Sequence, residues 1–376
     1  YLNVIALGNN TATALTEIAS ISLGGAGSGA KAVAEITSTA DVEARVGSTA
    51  TIATTGAVTV DASLQDKNSA TATAKGLGGG LLAGVSIMFA TSEIAGAVIA
   101  DMDGTITTSG SVTVQADGKN VSKSHTLAAG FGLAFGGAGT AAQSEITSQA
   151  DVVASIGSTA VIDTSGILLV TADSDNDALV ESDAGSGGIA ALTGSLLGAK
   201  TGGGTKAEMS GSVNSASNIT INAIGKNNAK AEALAISFGL FALAAVNPDA
   251  SVTQSADVEA FIGDGASVSD NSTIVEILSS STDTATAVST AASASIVGLN
   301  ILDVDASSKG STRSYIGDGA VVSVASVDID AIATSTPTVN ISSTGIGFIS
   351  GAIASSDVMA ELCIGKTVDQ AVKITN

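Results

Sequence analysis

The sequence repeats itself at an interval of about 53 residues. Gly47 to Ala62 (GSTATIATTGAVTVDA) and Gly157 to Ala172 (GSTAVIDTSGILLVTA) match in their opening turn, their alternation and their final alanine. A unit of this length holds only a few short strands and cannot enclose a core by itself, so it must stack on its neighbours. Related segments begin at Asp101, Gly211, Gly263 and Gly317.

One apolar position in each unit fixes the spacing of the repeat. Its successive occurrences lie 45 to 56 residues apart and align Val4, Val60, Val114, Val170, Ile221, Ile277, Ile329 and Ile374. The whole chain, 1–376, is therefore interpreted as a single repeat array. Its approximate units are 1–56, 57–110, 111–166, 167–217, 218–273, 274–325 and 326–376.

The alternation within each unit is typical of β-strands. Val58, Val60 and Ala62 alternate with Thr59 and Asp61, a period of two that places one set on each face of a sheet. The sequence therefore predicts an all-β fold, an elongated β-solenoid (β-helix) of about seven stacked repeats. At ~20 to 30 residues per turn, each unit should make about two coils spaced ~4.8 Å apart.

Composition excludes several classes of function. With 14 Lys and Arg against 35 Asp and Glu, the net charge is −21, which would repel nucleic acid. A single cysteine, Cys363, and a single histidine, His125, exclude a disulfide framework and most zinc and catalytic-triad chemistry. The nine aromatic residues are spread too thinly for a carbohydrate-cleaving site. We expect a protein that is not an enzyme and needs no cofactor.

Two apolar runs, Leu77 to Ala90 and Ala233 to Val246, are shorter than the ~18 to 20 residues of a membrane-spanning helix. No transmembrane segment is therefore predicted. The favoured interpretation is a strand buried on both faces, and membrane insertion is the alternative. The glycines and alanines in these runs would let a second sheet or another copy of the molecule approach closely.

The densest acidic cluster has spacing that resembles the start of a calcium loop. The glycine such a loop needs at its sixth position is missing, and Val180 stands near that place. Two interpretations stay open, a Ca²⁺ site and a solvated acidic corner. The candidate ligands are Asp173, Asp175, Asp177, Glu181 and Asp183.

Glycines at recurrent positions predict the turns of the array, because sharp turns favour residues that tolerate positive φ. Asp264 and Asp318 are expected to hydrogen-bond their own backbone in these turns. Cys363 is interpreted as a small core residue and His125 as a surface or packed imidazole. The predicted turn residues are Gly47, Gly157, Gly263, Asp264, Gly265, Gly317, Asp318, Gly319 and Gly365.

The recurring turn resembles that of a known family. Tyr315 to Val321 (YIGDGAV), Phe261 to Val268 (FIGDGASV) and Ser155 to Val161 (SIGSTAV) each precede an alternating strand and then a Gly/Ala-rich stretch. They resemble repeats of giant bacterial surface adhesins, the leukotoxin-like and filamentous-haemagglutinin-like β-strand-repeat proteins. The turn is altered in Asp101 to Gly104 (DMDG) and Met209 to Val213 (MSGSV). The resemblance implies an exported protein, extracellular and associated with the cell surface, with no catalytic residue to carry over.

These observations predict a structural protein that forms a rod or filament and adheres to itself, to neighbouring cells or to a surface, as in a biofilm matrix. Both ends of the chain carry the same type of strand, at Leu2 and Val4 and at Val372 and Ile374. Uncapped sheet edges invite the addition of another unit, which predicts a head-to-tail homopolymer or the continuation of a longer chain. The alternatives are an S-layer or sheath component and a pore-forming, leukotoxin-like secreted toxin.

Overall fold

A computed structural model describes residues 1–368 and 373–375, and in this part of the chain strands form and helices do not. The alternation of β-branched and small residues throughout the repeat accounts for the strands. The strands are β1 (Leu2–Gly8), β2 (Thr11–Ser22), β3 (Gly25–Ile36), β4 (Val42–Val46), β5 (Thr51–Ala53), β6 (Val58–Leu64), β7 (Asn68–Gly80), β8 (Ala83–Ile94), β9 (Val98–Met102), β10 (Thr105–Thr108), β11 (Val112–Gly132), β12 (Phe135–Ile146), β13 (Val152–Ile156), β14 (Val161–Asp163), β15 (Ile167–Gly187), β16 (Ala190–Thr201), β17 (Thr205–Met209), β18 (Ser212–Ser215), β19 (Asn218–Val252), β20 (Val258–Ile262), β21 (Ser267–Ser308), β22 (Ser311–Ile316), β23 (Val321–Ala360), β24 (Cys363–Val368) and β25 (Lys373–Thr375).

Strands pair in parallel with the equivalent strand of the next unit, in long stacked sheets compatible with a β-helix. β1 pairs with β6, which places Val4 beside Val60, and β6 pairs with β11, which places Val60 beside Val114. The same column continues through Val170, Ile221, Ile277 and Ile329, as the sequence predicted. The prediction for Ile374 was wrong. β25 pairs it with Val322, because the last stretch reaches only the short strand that precedes the column.

Each unit makes one wide coil, and the prediction of two coils per unit was wrong. Paired residues lie 51 to 58 residues apart, as in Val170 beside Ile221 and Thr11 beside Ser69. The physical reason is that the two longest strands of a unit pack face to face through their side chains instead of hydrogen-bonding to each other. Their hydrogen bonds run to the coils before and after.

One part of each coil is a three-sided prism around an aliphatic core. Its first side contains β1 and β6, its second contains β4 and β9, and its third contains β5 and β10, with equivalents in later coils. Val60, Val98 and Ile106 point into this core and are fully buried or nearly so. The columns of Val and Ile therefore stack along the axis and supply the main hydrophobic stabilisation.

The other part of each coil is a flat arm of two layers. In the second coil β7 runs out along the arm and β8 runs back, and their facing side chains are mostly alanine and serine. Ala70, Ala72 and Ala74 are fully buried there. The equivalent layers in later coils are the distal parts of β11, β15, β19, β21 and β23, paired with β12, β16 and the ends of the long strands.

The arm is thinnest at its outer end, where glycine is required by close approach. A Cβ added to Gly130 would lie 1.8 Å from the carbonyl oxygen of Gly137 on the opposite layer, and one added to Gly78 would lie 2.1 Å from that of Val85. No side chain fits between the layers at these points. Small residues thus face inward and the large ones are displaced to the outside.

The prediction that the apolar runs are buried on both faces was therefore wrong. In Leu77 to Ala90, the small residues and Met88 face the interior, whereas Leu82, Ile87 and Phe89 are exposed on the outside. The two layers are too close together to accommodate large side chains. From β1 to β23 the six inter-coil steps of ~4.8 Å span only ~30 Å, while an arm strand of 12 residues spans ~40 Å. The described stack is therefore wider than it is long.

Candidate functional site

A buried ladder of amide side chains runs along the axis where the prism meets the arm. Each Nδ2 donates to the Oδ1 of the next coil, and the column is nearly or fully buried from its second member onward. The donor–acceptor distances are 3.1 Å for Asn10 to Asn68, 3.1 Å for Asn68 to Asn120, 2.9 Å for Asn120 to Asn176, 3.1 Å for Asn176 to Asn227 and 2.9 Å for Asn227 to Asp283.

The ladder ends on a buried carboxyl group. Asp283 accepts from Asn227 through Oδ1, and its Oδ2 has no hydrogen-bond partner. Burial is the main cause that raises the pKa of Asp283 to about 6, while the Asn227 hydrogen bond lowers it and the charge of Asp257 raises it further. In the next coil the ladder position is Ser335, whose Oγ is also buried without a partner.

Sequence reasoning missed this ladder, although a signal was present. Asn68 was noted only as the end of a polar corner, and Asn10, Asn176 and Asn227 were not singled out. The five asparagines and Asp283 recur at 51 to 58 residues, the same interval as the aliphatic column. An amide at a constant place in successive units is a signature of side-chain stacking in parallel coils.

The candidate calcium ligands lie along one straight strand and do not converge. Asp173, Asp175 and Asp177 alternate on the outward side of β15, so neighbours in this set are ~7 Å apart along the strand. Asp175 pairs with Lys119 (Oδ2 to Nζ, 3.4 Å), and Asp177 accepts from Nδ2 of Asn228 (3.1 Å). Among the described residues, no group of three His, Cys, Asp or Glu side chains could hold a metal ion.

The remaining members of the acidic cluster lie further along β15. Asp183 is 3.7 Å from Nε2 of His125, which is partly exposed on the surface of the arm. Glu181 is exposed beside them. The pKa of Asp173 is raised, chiefly by burial and next by the neighbouring charge of Asp117. The arrangement is thus a row of carboxylates and counter-ions on a flat face.

Four of the predicted glycines open tight turns of the prism. The carbonyls of Gly47, Gly157, Gly263 and Gly317 each accept from the backbone N–H three residues later. Gly265 and Gly319 have φ of 67° and 70°, which a residue with a Cβ adopts only with strain.

The two turn aspartates act differently from the prediction. Oδ1 of Asp264 accepts from the backbone N–H of Asp318 (2.8 Å), so it joins two coils and does not bond its own turn. The carbonyl of Asp318 accepts in turn from the N–H of Gly265 (2.9 Å). The stacking of equivalent turns at one inter-strand spacing brings each side chain closest to the next coil.

The predicted assignments near the C-terminus are corrected. Gly365 lies within β24 beside Arg313 and forms no turn, because the stretch equivalent to the Gly317 turn comes after Val368. Cys363 is exposed and not a core residue, since β24 has a partner strand on one side only. Val372 lies outside the described residues. Ile374 is in β25, and Leu2 and Val4 are in β1.

The outer end of the arm forms a continuous apolar surface, which we name the apolar edge. It contains no charged residue and no histidine. Within it, a shallow groove of about 490 Å³ is bounded by Ile87, Phe89, Leu196 and Ile301 and floored by Gly139 and Gly194. The apolar edge comprises residues 19–29, 77–87, 129–139, 185–194, 236–245, 292–301 and 344–353.

Register places the apolar edge in columns that cross all of these coils. On the returning layer, the three outward columns nearest the turn contain only Gly, Ala, Val, Leu, Ile and Phe. Each column is listed here in coil order. They are Gly25, Ala83, Phe135, Ala190, Phe241, Val297 and Ile349; Gly27, Val85, Gly137, Leu192, Leu243, Leu299 and Gly351; and Gly29, Ile87, Gly139, Gly194, Ala245, Ile301 and Ile353.

Comparison with known proteins adds no name to this geometry. In the described residues, no helix has both the length and the apolar character needed to cross a membrane. No protein-family model, no curated protein and no solved structure matches the chain.

Proposed function

We propose that this chain is a non-enzymatic structural and adhesive segment of an extracellular rod or filament at the cell surface. The observation that carries the proposal is the unbroken axial register: the column from Val4 to Ile329 passes through successive coils without a shift. The same side chain type meets its counterpart at every step. Stabilisation is thus repeated along one direction, which is what a load-bearing rod requires.

The axial contacts are of three kinds. Backbone ladders join every arm strand to its neighbour, as between β7 and β11. The amide ladder adds a buried side-chain hydrogen bond at each step from Asn10 to Asp283. The aliphatic columns of the prism add hydrophobic contact. Separating two coils would break all three together, so the stack resists extension along its axis.

Elongation is part of the proposal, because the described stack spans only ~30 Å along its axis. We propose that about seven coils form one segment and that further coils, from neighbouring copies or a longer chain, extend it. β1 to β3 at one end and β23 at the other expose strand edges on which a parallel strand would continue the ladders. Partners are therefore other copies, the cell surface and neighbouring cells.

The extracellular setting rests on the resemblance of the turns in Tyr315 to Val321 and Phe261 to Val268 to those of giant bacterial surface adhesins. The net charge of −21 agrees with this setting, since it keeps stacked assemblies apart from one another in solution. An S-layer or sheath component differs from this proposal in forming ordered two-dimensional arrays.

Head-to-tail stacking can be tested by cross-linking. If β23 of one copy continues into β1 of the next in register, Asp328 meets Asn3, since both belong to one outward column. We expect Asn3→Cys with Asp328→Cys, in a Cys363→Ser background, to give a series of multimers with a short bifunctional thiol reagent. The matched control, Asn3→Cys with Ser342→Cys, places the second thiol on the arm and should give none.

Electron microscopy supplies the second readout. We expect fibres with a ~4.8 Å axial layer line. Ordered sheets would favour the S-layer or sheath alternative. Monomers without cross-linked multimers at high protein concentration would contradict head-to-tail assembly of this chain.

A further inference from the structure

The arm has its polar side chains inside and its apolar side chains outside. Near the turn, Oγ of Ser28 donates to Oγ of Ser86 (3.0 Å), and Oγ1 of Thr193 lies 2.7 Å from Oγ of Ser186 and 2.8 Å from that of Ser237, all buried. Outside, the three columns of the returning layer carry no polar side chain. This distribution is the reverse of that expected for a surface in water.

The exposed apolar side chains are not an effect of the outermost coils. In coils that have neighbours on both sides, Leu133 is 67% exposed and Phe241 is 58% exposed. Together, the large side chains of the apolar edge in these coils expose on the order of 1,000 Å². A monomer in water rarely exposes more than a few hundred Å² of contiguous apolar surface, so this edge has a partner.

The backbone of the turn is already satisfied without water. The N–H of Leu81 donates to the carbonyl of Ser22 (3.2 Å), that of Leu133 to Leu81 (3.1 Å), and that of Ile189 to Leu133 (2.9 Å). Parallel stacking therefore gives each turn its hydrogen bonds along the axis. An irregular segment with its polar groups paired in this way can enter hydrocarbon without the usual penalty.

The charges that flank the apolar edge begin at a common depth. On the outgoing layer the first charged pair is Lys75 with Glu17, six residues from the turn or ~20 Å along the strand. On the returning layer the nearest charges are Lys31 and Asp303, at ~23 Å. One leaflet of a bilayer, hydrocarbon and headgroups together, is ~20 Å thick.

We propose that the apolar edge inserts into one leaflet of an uncharged lipid bilayer, with Lys75, Glu17, Lys31 and Asp303 at the headgroup level. The depth of the charge-free zone favours lipid over a second copy, because a protein interface of ordinary size does not need a zone matched to a leaflet. The net charge of −21 selects a zwitterionic over an anionic surface. This deepens the proposed adhesive function, on which it rests, by naming a lipid surface as a partner.

Flotation with vesicles tests the proposal. We expect the protein to float with phosphatidylcholine vesicles and to float several-fold less with vesicles rich in phosphatidylserine at low salt. Leu133→Asp with Phe241→Asp should reduce binding to phosphatidylcholine at least tenfold. The matched control, Ile167→Asp with Ile274→Asp, changes two exposed aliphatic residues of the prism and should leave binding unchanged. Thermal unfolding of both variants checks that they fold.

The depth of insertion gives an independent readout, because the chain contains no tryptophan. Phe241→Trp places a fluorophore near the turn, and Phe89→Trp places one in the column of Lys31 and Asp303. We expect lipids brominated deep in the acyl chain to quench the first variant, and lipids brominated near the headgroup to quench the second.

Three results would overturn the proposal: no flotation of the wild type, equal loss in both pairs of aspartate variants, or quenching that does not depend on depth. A dimer in sedimentation that Leu133→Asp dissolves, without flotation of the wild type, would assign the edge to a second copy. The cross-linking between Asn3→Cys and Asp328→Cys is done without lipid. It therefore reports failure of the rod separately from failure of lipid insertion.

Discussion

Asn227 donates its Nδ2 hydrogen to Oδ1 of Asp283 over 2.9 Å, at the point where the amide ladder meets a carboxyl group. Burial raises the pKa of Asp283 from 3.8 to about 6. Because the folded state retains this proton more strongly than the unfolded state, the stabilisation is complete below pH ~4 and is lost as the pH rises through ~6. The loss amounts to roughly 3 kcal/mol.

Replacing Asp283 with asparagine should therefore stabilise the fold in a pH-dependent way. Asp283→Asn keeps an acceptor for Asn227 and removes the buried charge, so we expect a gain of about 2 kcal/mol at pH 8 and almost none at pH 4. Urea unfolding at the two pH values measures it. Asp303→Asn, at an exposed carboxylate, is the control and should change little at either pH. An equal gain at pH 4 and pH 8 would show that the charge is not the cause.

An interior rung of the amide ladder should be costly to remove. Asn120→Ala leaves Nδ2 of Asn68 and Oδ1 of Asn176 buried without their partner, and we expect a loss of about 2 to 4 kcal/mol. Asn228→Ala removes only a partly buried hydrogen bond to Asp177 and should cost less than ~1 kcal/mol. The two unfolding free energies are compared by denaturation. Similar values would mean that the ladder adds nothing beyond ordinary surface contacts.

The thin end of the arm should tolerate no added methyl group. In Gly130→Ala the new Cβ would meet the carbonyl oxygen of Gly137, a backbone atom that cannot move aside, and we expect a cost of at least ~2 kcal/mol. At Gly185, on the same arm, a Cβ meets nothing within 4 Å, and Gly185→Ala should be neutral or slightly stabilising. Thermal unfolding distinguishes them. A neutral Gly130→Ala would indicate that the layers separate easily.

The acidic row on β15 provides a test of the calcium prediction. The pKa values of Asp117 and Asp173, neighbours in adjacent coils, are raised, first by burial in both cases. A raised carboxyl pKa means stability lost as pH rises, so Asp173→Asn should stabilise by ~0.5 kcal/mol at pH 8 and less at pH 4. We expect millimolar Ca²⁺ to raise the unfolding temperature no more than Mg²⁺ does. A rise specific to Ca²⁺ and absent in Asp173→Asn would establish a calcium site.

The prism could be predicted from sequence because its inward positions are large and branched. Val60, Val114 and Val170 stand out against Thr and Asp at a constant interval, and the structure aligns them. The arm could not be predicted in the same way. Its interior uses Ala72 and similar small residues, while Leu82 on the outside is exposed, so hydrophobicity indicates the wrong face. Asparagine is usually a turn residue, which concealed the ladder at Asn120.

The constant interval between coils also governs how such a chain can change its length over evolutionary time. Duplication of the DNA that encodes residues 57–110 would insert one complete coil, with a new valine beside Val60 and a new asparagine beside Asn68. Every buried group would find its counterpart at once, so recombination can add or remove coils without inventing a contact. An insertion of two residues within a strand would misalign every neighbour it touches. Selection on this gene therefore acts on whole coils, and its alleles should differ in steps of one coil.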